Sequence, residues 1–340
     1  MHPDAIVFYR WPNEAAWTIA EGKLTARDSN NPLHAAGFVL NSFDSNKTEI
    51  ILVDKIEKVN ALPIDKISTL LKVFKPFIIG DNGLQLETYL NALNLAIAEV
   101  NSNSIKKVVI TRKQLIEFNY DDFLEGFKLF VNAFTSTFTY ILFSHKHGIW
   151  FGASPEILIE EKPESFVTMA LAGTIKSESD IQLSDWKQKE LEEHEFVSAY
   201  LREKLKGLNL TFLEEKLSMS RTGNLHHLLK QFSIQKSKTS DLFSLANSLH
   251  PTPAIGGIPL EKSVEFIRAN EKYSRELYTG YIGPAGIGKH NGFFVNLRCG
   301  KLVKNGLVLF AGGGINKGSI AEDELNETIN KMQNTLRFFT

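Results

Sequence analysis

Short apolar runs separated by turn residues fill the first hundred positions: AIVFYRW, AAGFVLNSF and EIILVDKI each read as strand. The period then changes. Over 84–100, Leu86, Leu90, Leu93, Ile97 and Val100 recur at helical spacing, and from Asp121 onward Phe123, Phe127, Phe130, Val131 and Phe134 do the same, so two helices are expected to cover a sheet. Between them IKKVVITRK alternates, with Ile105, Lys107, Val109 and Thr111 on one face and Val108 and Ile110 on the other. TYILFSHKHGIWFGASPEILIE predicts two strands around a His-Lys-His-Gly turn, a tight corner at Gly152-Ala153-Ser154-Pro155, and a third strand. FVTMALAGTIK is a further strand, and a helix starts near Ser184. A short helix from Ser240 leads into the stiff loop SLHPTPAIGGIP, and 261–269 is helical. RELYTGYIGPAG and GFFVNLRCGKLVKNGLVLF then read as strands, with a hairpin turn at Asn305-Gly306. The last strand is expected to end at Gly312, Gly313 and Gly314. Ser319 with Glu322 predicts a capping box for a final helix, in which Leu325, Ile329, Met332 and Leu336 repeat at helical spacing.

Polar residues that interrupt these patterns are the candidates for chemistry. Lys107 shares a strand face with apolar neighbours, which suits either an edge lysine that blocks strand addition or a desolvated amine whose pKa has fallen far enough to serve as a base. Glu156 follows the proline of the corner; it is either the wet side of a half-buried strand or an acid where small residues let a ligand approach. In the helix from Ser184, Trp186, Val197, Leu201 and Leu208 define an inward face, and Glu190 and Glu193 fall on it. Carboxylates on such a stripe need a cation, a metal or a water-filled cleft. On the last helix, Glu324, Glu327 and Lys331 fall within roughly a 60° stripe set off from the apolar face, read either as a solvated face with an i,i+4 pair or as part of a site. Four carboxylates from two helices would suit a hard cation, most plausibly Mg²⁺, provided the two helices meet. Arg298 falls on the face of Phe294 and Asn296, as an exposed partner for a neighbouring strand or as a carboxylate clamp. His250 opens the proline and glycine loop, where it either lines a pocket or packs. His226 and His227 are adjacent and so point apart, which gives a metal role for them little weight.

Composition narrows the class. With 340 residues, 43% of them hydrophobic, the chain can bury a large core. A formal net charge of -1 and scattered Lys and Arg give no footprint for nucleic acid. One cysteine, Cys299, excludes a disulfide framework and a cysteine zinc site. The opening MHPDAIVFYRWPNE has no apolar leader core, and no 18-residue apolar span follows, so no membrane partner is expected and a cytoplasmic location is the default.

The motifs GASPE, LAGT, EEHEFV, LHPTPAIGG, RELYTG, NLRCG and AGGGI, followed by a helix reading E-x-x-E-T-x-x-K, stand in the order found in the chorismate-utilising enzymes, and the chain resembles the isochorismate synthases most. The resemblance covers about 105–340, with 1–100 as the motif-poor part of the same single catalytic domain. It implies an α/β (α+β) two-layer fold in which antiparallel sheets are covered by helices, with the site in a cleft. By motif, it implies Lys107 as general base and Glu156 as general acid, and Glu193 and Glu327 as Mg²⁺ ligands, with Glu190 and Glu324 holding the ion's waters. It further implies that Arg298 and Tyr278 contact an enolpyruvyl carboxylate, that Gly312, Gly314 and Lys331 hold the substrate, and that Thr174 and His250 line the cleft. Relatives that use a lysine nucleophile carry it just before the Gly-Thr pair; here that position is Ala172, and water is the expected nucleophile. FVSAYLREKL replaces the D-L-V-R-N-D run of ammonia-using relatives, so no glutaminase subunit is expected. The expectation is a Mg²⁺-dependent isochorismate synthase acting on chorismate, as a monomer or weak homodimer. A salicylate synthase and a catalytically silent chorismate-binding paralogue are the alternatives.

Overall fold

The computed structural model describes residues 3–27, 36–44, 48–74, 76–77, 85–177, 179–222, 225–237 and 240–340; Met1, His2, Ala35 and Leu84, which fall in segments read above, lie outside the described residues. The chain opens with β1 (Ala5–Arg10), β2 (Trp17–Ala26), β3 (Gly37–Asn41) and β4 (Glu49–Val59), followed by α1 (Ile64–Val73) and α2 (Gln85–Asn101). Then come β5 (Lys107–Glu117), α3 (Phe123–Ala133), β6 (Phe138–Ser144), β7 (Gly148–Ser154), β8 (Ile157–Glu161), β9 (Ser165–Lys176) and α4 (Gln188–Gly207). The remainder is β10 (Phe212–Glu214), β11 (Ser218–Thr222), β12 (Leu225–Gln235), α5 (Leu242–Leu249), β13 (Gly257–Ile258), α6 (Leu260–Asn270), β14 (Tyr281–Ala285), β15 (Asn291–Val295), β16 (Cys299–Val303), β17 (Gly306–Asn316) and α7 (Ala321–Leu336).

Every pairing among these strands is antiparallel, and the pairings form one path. It runs β13-β5-β17-β16-β7-β6-β1-β2, crosses from β2 to β4, and returns as β3-β14-β15-β8-β9-β12. Strands β10 and β11 share the outer edge of β12. The path folds back on itself as two layers. Val7, Tyr9, Phe38, Tyr140, Trp150 and Phe294 fill the core between the layers. On the outer face of one layer, Ile6 and Phe8 meet the α3 phenylalanines Phe123, Phe127 and Phe130. On the other, Val39, Phe293 and Val295 meet Leu93 of α2 and Val197 and Leu201 of α4. Strands covered on both faces have no polar side to show, which is why all six residues of β1 are buried and apolar runs, not alternation, mark them in the sequence.

Five local expectations change. The triple glycine does not end its strand: β17 continues through Gly312, Gly313 and Gly314 to Asn316, paired with β5 throughout. RELYTG is a turn, not a strand, closed by Tyr278 N–H to Arg275 O and Gly280 N–H to Leu277 O. Arg298 is not in mid-strand. β15 ends at Val295, and Arg298 sits between β15 and β16 with φ +47. The capping box at Ser319 is not formed either: α7 starts at Ala321, and the Ser319 hydroxyl donates to Glu324 Oε1 at 2.7 Å while accepting the Asn316 N–H at 3.0 Å. In α4 the inward face is His194, Val197, Ser198, Leu201 and Leu205, and Leu208 is exposed.

Candidate active site

A cavity of about 460 Å³ opens where β5, β9, β12 and β17 meet helices α4 and α7. Lys107, Glu156, Thr174, Glu190, Glu193, Tyr278, Arg298, Gly312, Gly314, Glu327 and Lys331 all line it, as does Ala172. Two expected residues do not. Glu324 lies buried beneath the strand wall, and His250 turns its ring edge-on to Phe43 and Tyr281, where burial pushes its pKa down to about 3. The loop His250 opens still reaches the cavity through Ala254 and Ile255.

The acid and base candidates come from the strand wall. Lys107 is the first residue of β5, 1% exposed, and its Nζ bonds Glu193 Oε1 of α4 at 2.8 Å, so its burial is compensated by a carboxylate and is not simple desolvation among apolar neighbours. Gly314 makes room for this pair. A Cβ there would stand 2.9 Å from Lys107 Cε and 3.2 Å from Glu193 Oε1, so the need for glycine is space, not an unusual backbone angle. Glu156 sits in the two-residue link between β7 and β8, held by Val295 N–H to its carbonyl at 3.0 Å. Burial pushes the Glu156 carboxyl up to about 8, against the opposing effects of the Lys107 charge and the Thr252 hydroxyl. It is therefore protonated at neutral pH, in the state an acid catalyst needs.

The helical wall carries the carboxylates. Burial raises the Glu193 carboxyl, but the ammonium groups of Lys107, Lys331 and Lys189 together outweigh it and the net shift is downward. Lys331 of α7 donates to Gly312 O at 2.8 Å and to Glu327 at 2.6 Å; burial works against its charge, and the carboxylates of Glu327, Glu193 and Glu324 win, holding it upward. Glu324 lies under Gly313, where a Cβ would stand 2.9 Å from its Oε2, and burial raises its pKa. Among the described residues no three carboxylate, histidine or cysteine side chains form a ready-made metal cluster. The donors nevertheless fit a hard cation: all are carboxylate oxygens, and Oε2 of Glu190 and of Glu324 are buried without a hydrogen-bond partner.

Arg298, also on the cavity lining, projects half-buried from its turn, with Nη2 bonded to His227 Nε2 at 2.9 Å and a buried Nη1 lacking a protein partner. Burial lowers its pKa to about 10, so it remains a cation at neutral pH. Tyr278 stacks on Phe310 with ring centres 5.3 Å apart, and burial raises its phenol. Thr174 bonds His227 Nδ1 at 3.2 Å. Sequence reasoning set His227 aside. Strand alternation shows only that it and His226 diverge, and which of them enters a cleft depends on the partner strand.

The profile of the family described as chorismate binding enzyme matches residues 15–340. The chain belongs to that family. Isochorismate synthase EntC of Escherichia coli (strain K12) is 31% identical over 200 residues, 56% of this chain; the match spans about half of that curated relative, 51%. The vibriobactin-specific isochorismate synthase of Vibrio cholerae is 26% identical over 351 residues, covering 98% of this chain and 85% of that one. Among solved structures, the menaquinone-specific isochorismate synthase MenF of Escherichia coli superposes with a TM-score of 0.81 at 20% identity, covering 100% of this chain and 90% of that chain. That likeness shows the fold: antiparallel sheets covered by helices, as the family resemblance implied. Among the described residues, no helix is long and apolar enough to cross a membrane.

Proposed function

We propose that the protein is a Mg²⁺-dependent isochorismate synthase, converting chorismate to isochorismate for menaquinone or catechol siderophore synthesis. The observation that carries this reading is that Lys107 and Glu156 line one cavity, with burial keeping Glu156 protonated at neutral pH. The reaction adds water at C2 of the cyclohexadiene ring, shifts the ring double bonds, and releases the C4 hydroxyl as water. One group must take a proton from the attacking water and another must give one to the departing oxygen. Lys107, in its neutral, deprotonated form, takes the first, and Glu156 gives the second. Ala172 lines the wall and offers no competing nucleophile, which supports water in that role.

Arg298 and Tyr278 would receive the enolpyruvyl carboxylate, and the Lys331 ammonium, anchored on Gly312 O, would face the ring carboxylate. Glu190, Glu193 and Glu327, which line the cavity, would hold Mg²⁺ directly or through water, with Glu324 behind the strand wall. When bound, the ion neutralises the ring carboxylate and stabilises charge that develops in the transition state. Glu193 has two duties in this scheme, since it also pairs with Lys107.

The test is incubation of purified protein with chorismate and Mg²⁺, without ammonia, followed by chromatography. Isochorismate in reversible equilibrium with chorismate, lost on adding a chelator, is expected. Salicylate with stoichiometric pyruvate would move the assignment to salicylate synthase, and no turnover would move it to a silent chorismate binder.

A further inference from the structure

His227 lies on β12 opposite Thr174 of β9, and the pairing slips at that point: His227 faces Thr174, whereas Leu228 faces Ala172. Gly173 is the extra residue, with φ +77, the conformation a glycine bulge requires. A side chain there would be strained by that angle and would also press on the Glu190 carbonyl, 3.2 Å from the Cβ position. The bulge sets the Gly173 carbonyl 3.3 Å and the Thr174 hydroxyl 3.2 Å from His227 Nδ1. On the other side of the ring, Nε2 is 2.9 Å from Arg298 Nη2.

This geometry fixes where the proton is. A guanidinium has donors and no acceptor, so Nε2 must be bare and accept; a carbonyl only accepts, so Nδ1 must carry the hydrogen and donate to Gly173 O. The ring is neutral and of one tautomer. Burial, reinforced by the Arg298 charge, pushes its pKa down to about 3 in agreement. Arg298 needs such a hold, because its backbone is in the left-handed region that non-glycine residues seldom adopt, and Nη1 of the same guanidinium is buried with no protein partner.

We propose that His227, set by the Gly173 bulge, is a positioning residue that clamps one edge of the Arg298 guanidinium so that its unpartnered Nη1 receives a substrate carboxylate. The identity of that carboxylate as chorismate's rests on the function proposed above. A neutral histidine serves better than a carboxylate here, since it orients the cation without neutralising it, leaving the full charge for the ligand.

The test has two parts. In steady-state kinetics His227→Leu should raise KM for chorismate roughly tenfold or more, by a larger factor than it lowers kcat, and His227→Gln, which keeps an acceptor, should recover most of that loss. On an Arg298→Lys background His227→Leu should change KM by less than about twofold; full additivity, as a purely structural role would give, overturns the proposal. In the wild type, nitrogen NMR of the imidazole should show Nδ1 protonated and Nε2 bare down to about pH 5. A ring that protonates near pH 6, or carries its hydrogen on Nε2, overturns the positioning role even if chorismate is turned over. A bare Nε2 in a protein that does not bind chorismate supports the clamp and overturns the function.

Discussion

Strand β5 is flanked by two ion pairs of opposite character, one buried and one at the cavity wall. Arg275 and Glu271 form a bidentate pair at 2.7 Å on both bonds, and both side chains are almost fully buried. Arg275 Nη1 also reaches Ile255 O and Nη2 reaches Val109 O, while Glu271 accepts from the backbone and hydroxyl of Thr111. The guanidinium stands 4.1 Å over the Phe43 ring. Lys107, two residues before Val109, bonds a single oxygen of Glu193, and that carboxylate is partly open to the cavity, with its side chain 23% exposed. The first pair has used its bonding capacity and locks the strand in place. The second keeps donors and an oxygen free, which is what a reacting site needs.

The comparison can be broken by removing one cation from each pair. Lys107→Met should lower chorismate turnover about 10³-fold or more, with an unfolding transition close to the wild type because Glu193 can be solvated from the cavity; turnover within tenfold of wild type would remove Lys107 as the base. Arg275→Met should act the other way, destabilising the fold by about 3–5 kcal/mol in urea unfolding by stranding a buried carboxylate. A loss under about 1 kcal/mol would mean the saturated network is dispensable. The smallest effect sharpens the contrast. Because the fold raises the Glu156 pKa, the stability this group contributes is full below the ordinary carboxylate range and is lost as pH climbs to about 8. Glu156→Gln should therefore raise the melting temperature by a few degrees at alkaline pH and make little difference at acid pH, while abolishing turnover; an identical pH dependence in both proteins would contradict the buried, protonated acid.

Much of this was legible in the sequence because it is local. The phenylalanines at helical spacing in α3, the turn before Gly148 and the hairpin ahead of Gly306 follow from neighbours a few positions apart. Lys107 stood out as a polar residue in an apolar setting and Glu156 as an acid at a corner of small residues, and the motifs supplied roles that spacing alone left open. What escaped depended on another strand. Glycine disfavours strands, so Gly312, Gly313 and Gly314 read as a stop, whereas the missing Cβ atoms leave room for Glu324 beneath Gly313 and for the Lys107 and Glu193 pair beside Gly314. Arg298 read as a strand residue because its left-handed backbone has no signature in its neighbours. His227 was hidden for the same reason: the bulge that aims it belongs to β9, far away in sequence.

The pairing of β5 with β17 also bears on assembly during synthesis. Lys107 sits opposite Asn316, and Gly312 opposite Thr111, so β5 acquires this partner only after synthesis has passed Asn316. Contacts so distant in sequence form late and slowly. A nascent chain stopped before β17 would already contain Lys107, Glu156 and Glu193, but not the glycine strand or α7, and so the part of the cavity wall that these two supply would be missing. The cavity thus closes only with β17 and α7, and truncated products of translation would carry the candidate acid and base without a chamber around them.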